Sequence, residues 1–348
     1  METRHVFLDT DAFRQLGHNP DAAPLVELGK KIAEGQLILH MTDITLAEIR
    51  RQLSEHIAEA AREGKAARKS VFKWRQRHPA LVADIQDIDV AAVSAAAFEK
   101  FRHAVEEKWN ATWHDATSIS SLSIFEDYFA GRPPFSQPKS KEFPDAFVIK
   151  ALDEWCQERG ERLYVVSRDK AMQQAVEASP RLISAINLKD ILAAATKVWT
   201  PDIVRRAGGL LTKKSVINDL QNAIELEIDD LIPVYGGDFS EGEVTGHSMS
   251  GDIRIASYGV IAATSEELSV IMDVYVPLTI ELSYEDRSGA VYENEDDTYY
   301  GGETAETEFQ DDPAVRIFAR LRQQAPHVQA VEILTGEVRV HEPAENYK

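Results

Sequence analysis

Cysteine is almost absent from this 348-residue chain. The single Cys156 has no partner for an internal disulfide, and its place in an apolar helical pattern reads as small core filler rather than a nucleophile. No apolar run reaches the ~20 residues that a membrane span needs, and the first residues lack the basic-then-apolar pattern of a secretory leader. A cytoplasmic protein is therefore expected. Internal repeats and low-complexity tracts are missing as well. Positive charge is scarce in one half only: residues 201–348 hold 11 Lys/Arg against 29 Asp/Glu, net −18, whereas residues 1–200 hold 27 against 29, net −2. The second half would repel a polyanion, so any nucleic-acid contact belongs to the first.

What the chain does contain begins at its fifth residue. His5 to Leu8 is a short apolar run of strand character that ends in Asp9-Thr10-Asp11. A helix around Pro24 to Glu34 follows, then a second strand over Gln36 to His40. Thr42 or Asp43 can cap the next helix, whose apolar residues Leu46, Ile49, Leu53 and Ile57 recur at helical spacing with Glu48 beside them. Residues 62–77 hold seven Lys/Arg and one acid, Glu63. Two readings of that run stand side by side. In one, Lys65, Arg68, Lys69, Lys73, Arg75 and Arg77 contact phosphates and Trp74 offers a stacking surface; in the other, this is a solvated helix face with Trp74 in the core.

Helical patterning resumes over Ala91 to Asn110, and Thr112 to Phe135 is irregular. His114-Asp115 invites a metal reading, but adjacent residues point apart on any regular element. Pro144 suits the first position of a helix and places Asp145 in its first turn, where the macrodipole favours negative charge. Arg162 to Ser167 is a strand running directly into Asp169, which repeats the arrangement at Asp9. Strands alternating with helices imply parallel βαβ units with right-handed crossovers. In such a sheet Asp9 and Asp169 can converge at the carboxyl edge, with Glu48 and Asp145 completing the ring. Four carboxylates in one crevice repel one another unless they are protonated or neutralised by a cation. Oxygen-only ligands select Mg²⁺ or Mn²⁺ over zinc.

The order of Val6-Phe7-Leu8-Asp9-Thr10-Asp11, Ile44-Thr45-Leu46-Ala47-Glu48-Ile49, Phe143-Pro144-Asp145-Ala146 and Val165-Val166-Ser167-Arg168-Asp169-Lys170 resembles the PIN-domain nucleases. Within that family it is similar to the larger bacterial members that carry an additional C-terminal domain. The resemblance covers about residues 1–195. It implies a PIN-like α/β fold, a parallel sheet flanked by helices, and a Mg²⁺- or Mn²⁺-dependent endonuclease acting on RNA more often than on DNA. By the same resemblance Asp9, Glu48, Asp145 and Asp169 are metal ligands or position the attacking water, and Thr10 and Ser167 support them by hydrogen bonding. Asp11 stands where relatives frequently have Asn; it adds charge to the site or caps the next helix. Glu142 is a further ligand if its helix begins early, and otherwise a solvated acid. Residues 78–140 exceed what a minimal domain of this family needs. Two other readings are open: a catalytically silent binding scaffold of the same fold, and a haloacid-dehalogenase-type phosphatase using Asp9 as nucleophile, although Phe13 stands where that pattern has Thr or Val.

The expected division is a PIN-like domain over 1–200, a helical connector over 201–232 and an acidic β-rich (α+β) domain over 233–348. An amphipathic helix is read over Lys213 to Leu231, as a connector or as the first element of the second domain. Strands are read over Ile253 to Val260, Leu268 to Tyr275, Leu278 to Tyr284, Val328 to Leu334 and Glu337 to Val340, with a helix near Pro313 to Gln324. Glu293 to Asp297 lacks the spacing and loop glycine of a helix-loop-helix calcium site and reads as a solvated loop. The second domain is open to a homo-oligomer contact or a protein partner.

Overall fold

The computed structural model describes residues 1–78, 86–135, 142–196, 201–239, 242–286, 291–293, 298–300 and 303–342. The side chains of Lys73, Pro201 and residues 291–293 and 298–300 lie outside that description, as does the acidic run through 294–297. The chain divides into two compact units, Met1–Ala195 and Thr196–Lys348.

The first unit contains, in order, β1 (His5–Leu8), α1 (Thr10–Arg14), α2 (Ala23–Ala33), β2 (Ile38–Thr42), α3 (Asp43–Arg77), α4 (Val90–His103) and β3 (Thr112–His114). It continues with α5 (Ser121–Phe129), α6 (Phe143–Arg159), β4 (Leu163–Val166), α7 (Lys170–Glu177), β5 (Leu182–Ala185) and α8 (Leu188–Ala195). The five strands form one parallel sheet in the order β3-β2-β1-β4-β5. Its central strand is buried on both faces, which is why Val6-Phe7-Leu8 reads as a continuous apolar run rather than an alternating one. Phe7, Leu163 and Val165 face Val148, Ile149, Leu152 and Cys156 of α6 in one core cluster. Cys156 is buried there.

Local signals fix several boundaries. Thr42 caps α3, its Oγ1 accepting from the Thr45 amide at 3.0 Å. Gly160 ends α6 in the left-handed conformation, φ 66°, which glycine adopts without a Cβ clash. Gly35 turns at φ 69°, and β2 starts two residues later than the sequence suggests. The irregular stretch after residue 110 contains β3 and α5. Helix α3 has 35 residues, about 52 Å at about 1.5 Å per residue. α4 returns antiparallel against it: the Arg50 guanidinium lies 5.3 Å from the centre of the Phe98 ring, and Arg68 pairs with Asp87 at 2.6 Å.

The second unit opens with α9 (Pro201–Leu211) and α10 (Lys214–Leu226). It then runs β6 (Ile232–Tyr235), β7 (Glu243–Met249), β8 (Arg254–Ala263), β9 (Glu267–Tyr275), β10 (Leu278–Asp286), β11 (Val291–Glu293), β12 (Thr298–Tyr300), β13 (Glu303–Asp311), β14 (Ala314–Arg322), β15 (Val328–Ile333) and β16 (Glu337–Val340). A four-stranded antiparallel sheet β15-β14-β9-β8 and a three-stranded one, β13-β10-β7, are joined by the pairs β16-β6 and β11-β12. Residues 201–232 do not behave as a connector. Ile203, Ala207, Leu220 and Ile224 pack into the same core as Val270, Met272, Ile280 and Ile317. The amphipathic helix stops at Leu226, which is exposed, and a 3₁₀ turn takes over. The helix read near Pro313 to Gln324 is a strand: Val315, Ile317, Ala319 and Leu321 are buried with period two, and β14 pairs with β9 and β15 on its two sides.

Candidate active site

Strand order reverses at the centre of the parallel sheet, with β2 and β3 to one side of β1 and β4 and β5 to the other. That switch point brings the carboxyl ends of β1 and β4 together. The Asp9 amide continues the pairing, donating to the Val166 carbonyl at 3.0 Å. Asp9 also caps α1, Oδ1 accepting from the Thr10 amide at 2.7 Å, and Ser167 Oγ donates to Oδ2 at 2.7 Å. The Thr10 hydroxyl is 3.4 Å from Oδ1. Ser167 in turn accepts from the Asp169 amide at 3.1 Å, so the loop after β4 is tied to the loop after β1 through one hydroxyl. Asp169 is exposed and caps α7, Oδ1 accepting from the Met172 amide at 2.9 Å. It adjoins Asp9 through Ser167 rather than directly.

The other two carboxylates come from helices. Glu48 lies in the second turn of α3, half-buried, with Arg51 at 3.5 Å and Gln52 at 3.4 Å from Oε1. Asp145 lies in the first turn of α6 and shares a hydrogen bond with Glu142, which precedes that helix. Burial, that hydrogen bond and the charges of Asp9, Glu142 and Glu48 together push the Asp145 carboxyl up to about 8. Asp9 is also raised, first by burial and then by Glu48 and Asp11, against the lowering effect of its bonds from Ser167 and Thr10. Asp9, Glu48, Glu142 and Asp145 thus form one electrostatic cluster at the sheet edge. Asp11 differs. Burial would raise it, but Arg14 at 2.8 Å, Arg168 at 3.3 Å and Gln15 at 2.6 Å outweigh burial and hold it below the usual carboxylate range. Among the described residues no three of these acids form a closed metal cage. Their donors are all oxygen, and a divalent cation relieves the repulsion that otherwise keeps a proton in the cluster.

The basic run lies elsewhere. Lys65, Arg68, Lys69, Arg75 and Arg77 occupy the distal half of α3, the nearest of them about 26 Å along the axis from Glu48. The Lys73 side chain lies outside the described residues. Trp74 is not in the core: it is 56% exposed, with the Arg77 guanidinium 5.5 Å from its ring centre. Phe72 and Asp87, which sequence patterning did not single out, join Lys65, Arg68 and Lys69 around a cavity of about 280 Å³.

His114 and Asp115 do not act as a pair. Asp115 caps a 3₁₀ turn through the Thr117 amide, while His114 closes a buried chain across three strands. His5 Nδ1 lies 2.8 Å from His40 Nε2, and His40 Nδ1 lies 2.7 Å from His114 Nε2. Trp155 of α6 meets all three rings edge-on. Burial, and for His40 the flanking imidazoles, lowers these groups: His40 to about 2 and His114 to about 4. Histidines at positions 5, 40 and 114 carry no shared spacing, and only the strand register aligns them.

Compared with known families, residues 6–172 match the model of the PIN domain, a stretch that falls within the first unit. No curated protein and no solved structure matches the chain.

Proposed function

We propose that this chain, whose N-terminal unit belongs to the PIN-domain family, is a metal-dependent endonuclease that hydrolyses RNA in preference to DNA. PIN domains are generally nucleases. The observation that carries the reading for this chain is the Asp9–Glu48–Glu142–Asp145 cluster at the sheet edge, where burial first, then the hydrogen bond from Glu142 and the charges of Asp9, Glu142 and Glu48 raise Asp145. Asp9, Glu48, Asp145 and Asp169 would hold Mg²⁺ or Mn²⁺, with Glu142 and Asp11 beside them. The bound ion supplies charge to the phosphodiester in its transition state and lowers the pKa of a water.

The chain's own side chains do the positioning. Ser167 and the Thr10 amide fix both Asp9 oxygens, so that carboxylate meets substrate in one orientation. Asp169 is held against Ser167 by its own amide. Without a cation the Glu142–Asp145 pair keeps a proton, because burial first and then the neighbouring acids raise Asp145; a bound cation would displace that proton and leave the pair as oxygen donors. A phosphatase with Asp9 as nucleophile needs an acid two residues on. Asp11 is instead held ionised by Arg14 and Arg168, which disfavours that role.

The test is cleavage of labelled single-stranded RNA and DNA with Mn²⁺, Mg²⁺ or EDTA, beside Asp9→Asn. Cutting should require metal and fall by at least a hundredfold in the variant. A folded wild-type protein that cuts neither polymer with either metal would favour the silent scaffold.

A further inference from the structure

We infer that the distal half of the α3–α4 hairpin is a second, remote site that grips the phosphate backbone of a polynucleotide about eight to ten nucleotides from the cut. The distance to the cut rests on the nuclease reading; the binding itself does not. α3 is one continuous helix over Asp43–Arg77, and Glu48 belongs to its beginning. From Glu48 the axis reaches Lys65 after about 26 Å and Phe72 after about 36 Å. A stacked strand advances about 3.4 Å per nucleotide, which converts that reach to roughly eight to ten nucleotides.

Three observations select a polynucleotide. Residues 62–77 carry seven cations and one acid in a half-chain that is otherwise acidic, so the positive charge is concentrated on this arm. Next, Lys65, Arg68 and Lys69 line a shallow, open hollow of about 280 Å³, which a phosphate with its sugar can reach from solvent. Lastly, Phe72 is 52% exposed and forms part of that wall, and the similarly exposed Trp74 follows it on the helix; cations interleaved with open rings suit a single strand, whose last bases can extend the stack onto those rings. Asp87 also lines the cavity and pairs with Arg68 at 2.6 Å. It orients that guanidinium and repels phosphate on its own side, which leaves the Lys65–Lys69 edge as the place for the anion. Lys65 and Lys69 are both exposed.

The test uses the full chain with a fluorescent 30-nucleotide RNA and a 5-nucleotide RNA. Binding of the longer strand is followed by anisotropy in EDTA, where no cleavage intervenes, for the wild type and for Lys65→Gln/Lys69→Gln. Both lysines are solvent-facing, and circular dichroism checks the fold; Phe72→Ala provides an independent variant with unchanged charge. Removing two phosphate contacts should flatten the salt slope by about 1.4–1.8, so that between 50 and 200 mM salt the wild type loses roughly tenfold more affinity than the double variant. Phe72→Ala should weaken binding severalfold without changing that slope. In cleavage, the ratio of variant to wild-type kcat/KM should be about tenfold lower for the 30-mer than for the 5-mer, which cannot span both sites. A double variant with wild-type slope and affinity, or one equally impaired on both lengths, would overturn the proposal. If neither RNA is cut but the anisotropy differences appear, the nuclease reading fails and the remote site stands; if cutting is normal and the slopes coincide, the reverse holds.

Discussion

At the scale of single residues, Asp145 and His40 titrate in opposite senses. Asp145 has its carboxyl raised in the folded state to about 8 from an ordinary value near 4, so the folded protein holds a proton that the unfolded chain releases. Its contribution to stability is therefore lost as pH rises through that window. His40 and His114 are lowered, so the unfolded chain takes up protons that the folded one refuses, and stability is lost as pH falls below about 6.5. Between about pH 4 and 6.5 the two effects oppose each other, and above 6.5 only the carboxylate remains. Thermal melts in EDTA should show Tm declining from pH 6.5 to 8, and Asp145→Asn should remove the decline. Added Mn²⁺ should raise Tm most at the alkaline end, where the cluster is fully ionised. A flat wild-type profile in EDTA would contradict the crowded-carboxylate account.

Among the elements, the histidine chain ties β1, β2 and β3 together beneath α6, the helix that carries Asp145 at its start. Both ring nitrogens of His40 are engaged. His40→Leu fills similar volume but leaves His5 and His114 each with a buried nitrogen lacking its partner, at about 1–3 kcal/mol apiece. Denaturant unfolding should register a loss of that order, and a substitution within experimental error of wild type would show that water replaces His40 without cost. The same scale explains α3. Its first turns are core-facing and contribute Glu48, α4 packs against it at Phe98 beside Arg50, and farther along Arg68 pairs with Asp87 just before α4. An element that is half scaffold and half arm can serve two sites that a compact domain would hold close together.

For the molecule as a whole, the two units have separate cores, one built on the parallel sheet and α6, the other on antiparallel sheets with α9 and α10. Charge divides along the same line, with nearly all of the net −20 in the second half. Residues 1–195 expressed alone should unfold in a cooperative transition of their own and bind RNA faster at low salt than the full chain, since removing the acidic half removes long-range repulsion. Stopped-flow association at two ionic strengths would check this; equal rates at low salt would show that the acidic unit exerts no field at the binding face.

Much of this was already legible in the residues. The βαβ alternation, the cap at Thr42, the proline before Asp145 and the strands ending at Asp9 and Asp169 are local signals, since each follows from the conformational preference of a few neighbouring residues. They determined the α/β class of the first unit and the acids that its sheet edge presents. Periodicity is ambiguous where a strand buried on alternate positions follows a proline, so the residues near Pro313 to Gln324 read as a helix while Ala314–Arg322 is a strand. What only the tertiary structure decided was proximity. Glu142 joins Asp145 in the cluster while Asp11 is drawn off by Arg14 and Arg168, and three histidines far apart in the chain meet across strand registers. The basic run, contiguous in sequence with the helix of Glu48, stands far from it in space because an α-helix converts sequence separation into rigid length.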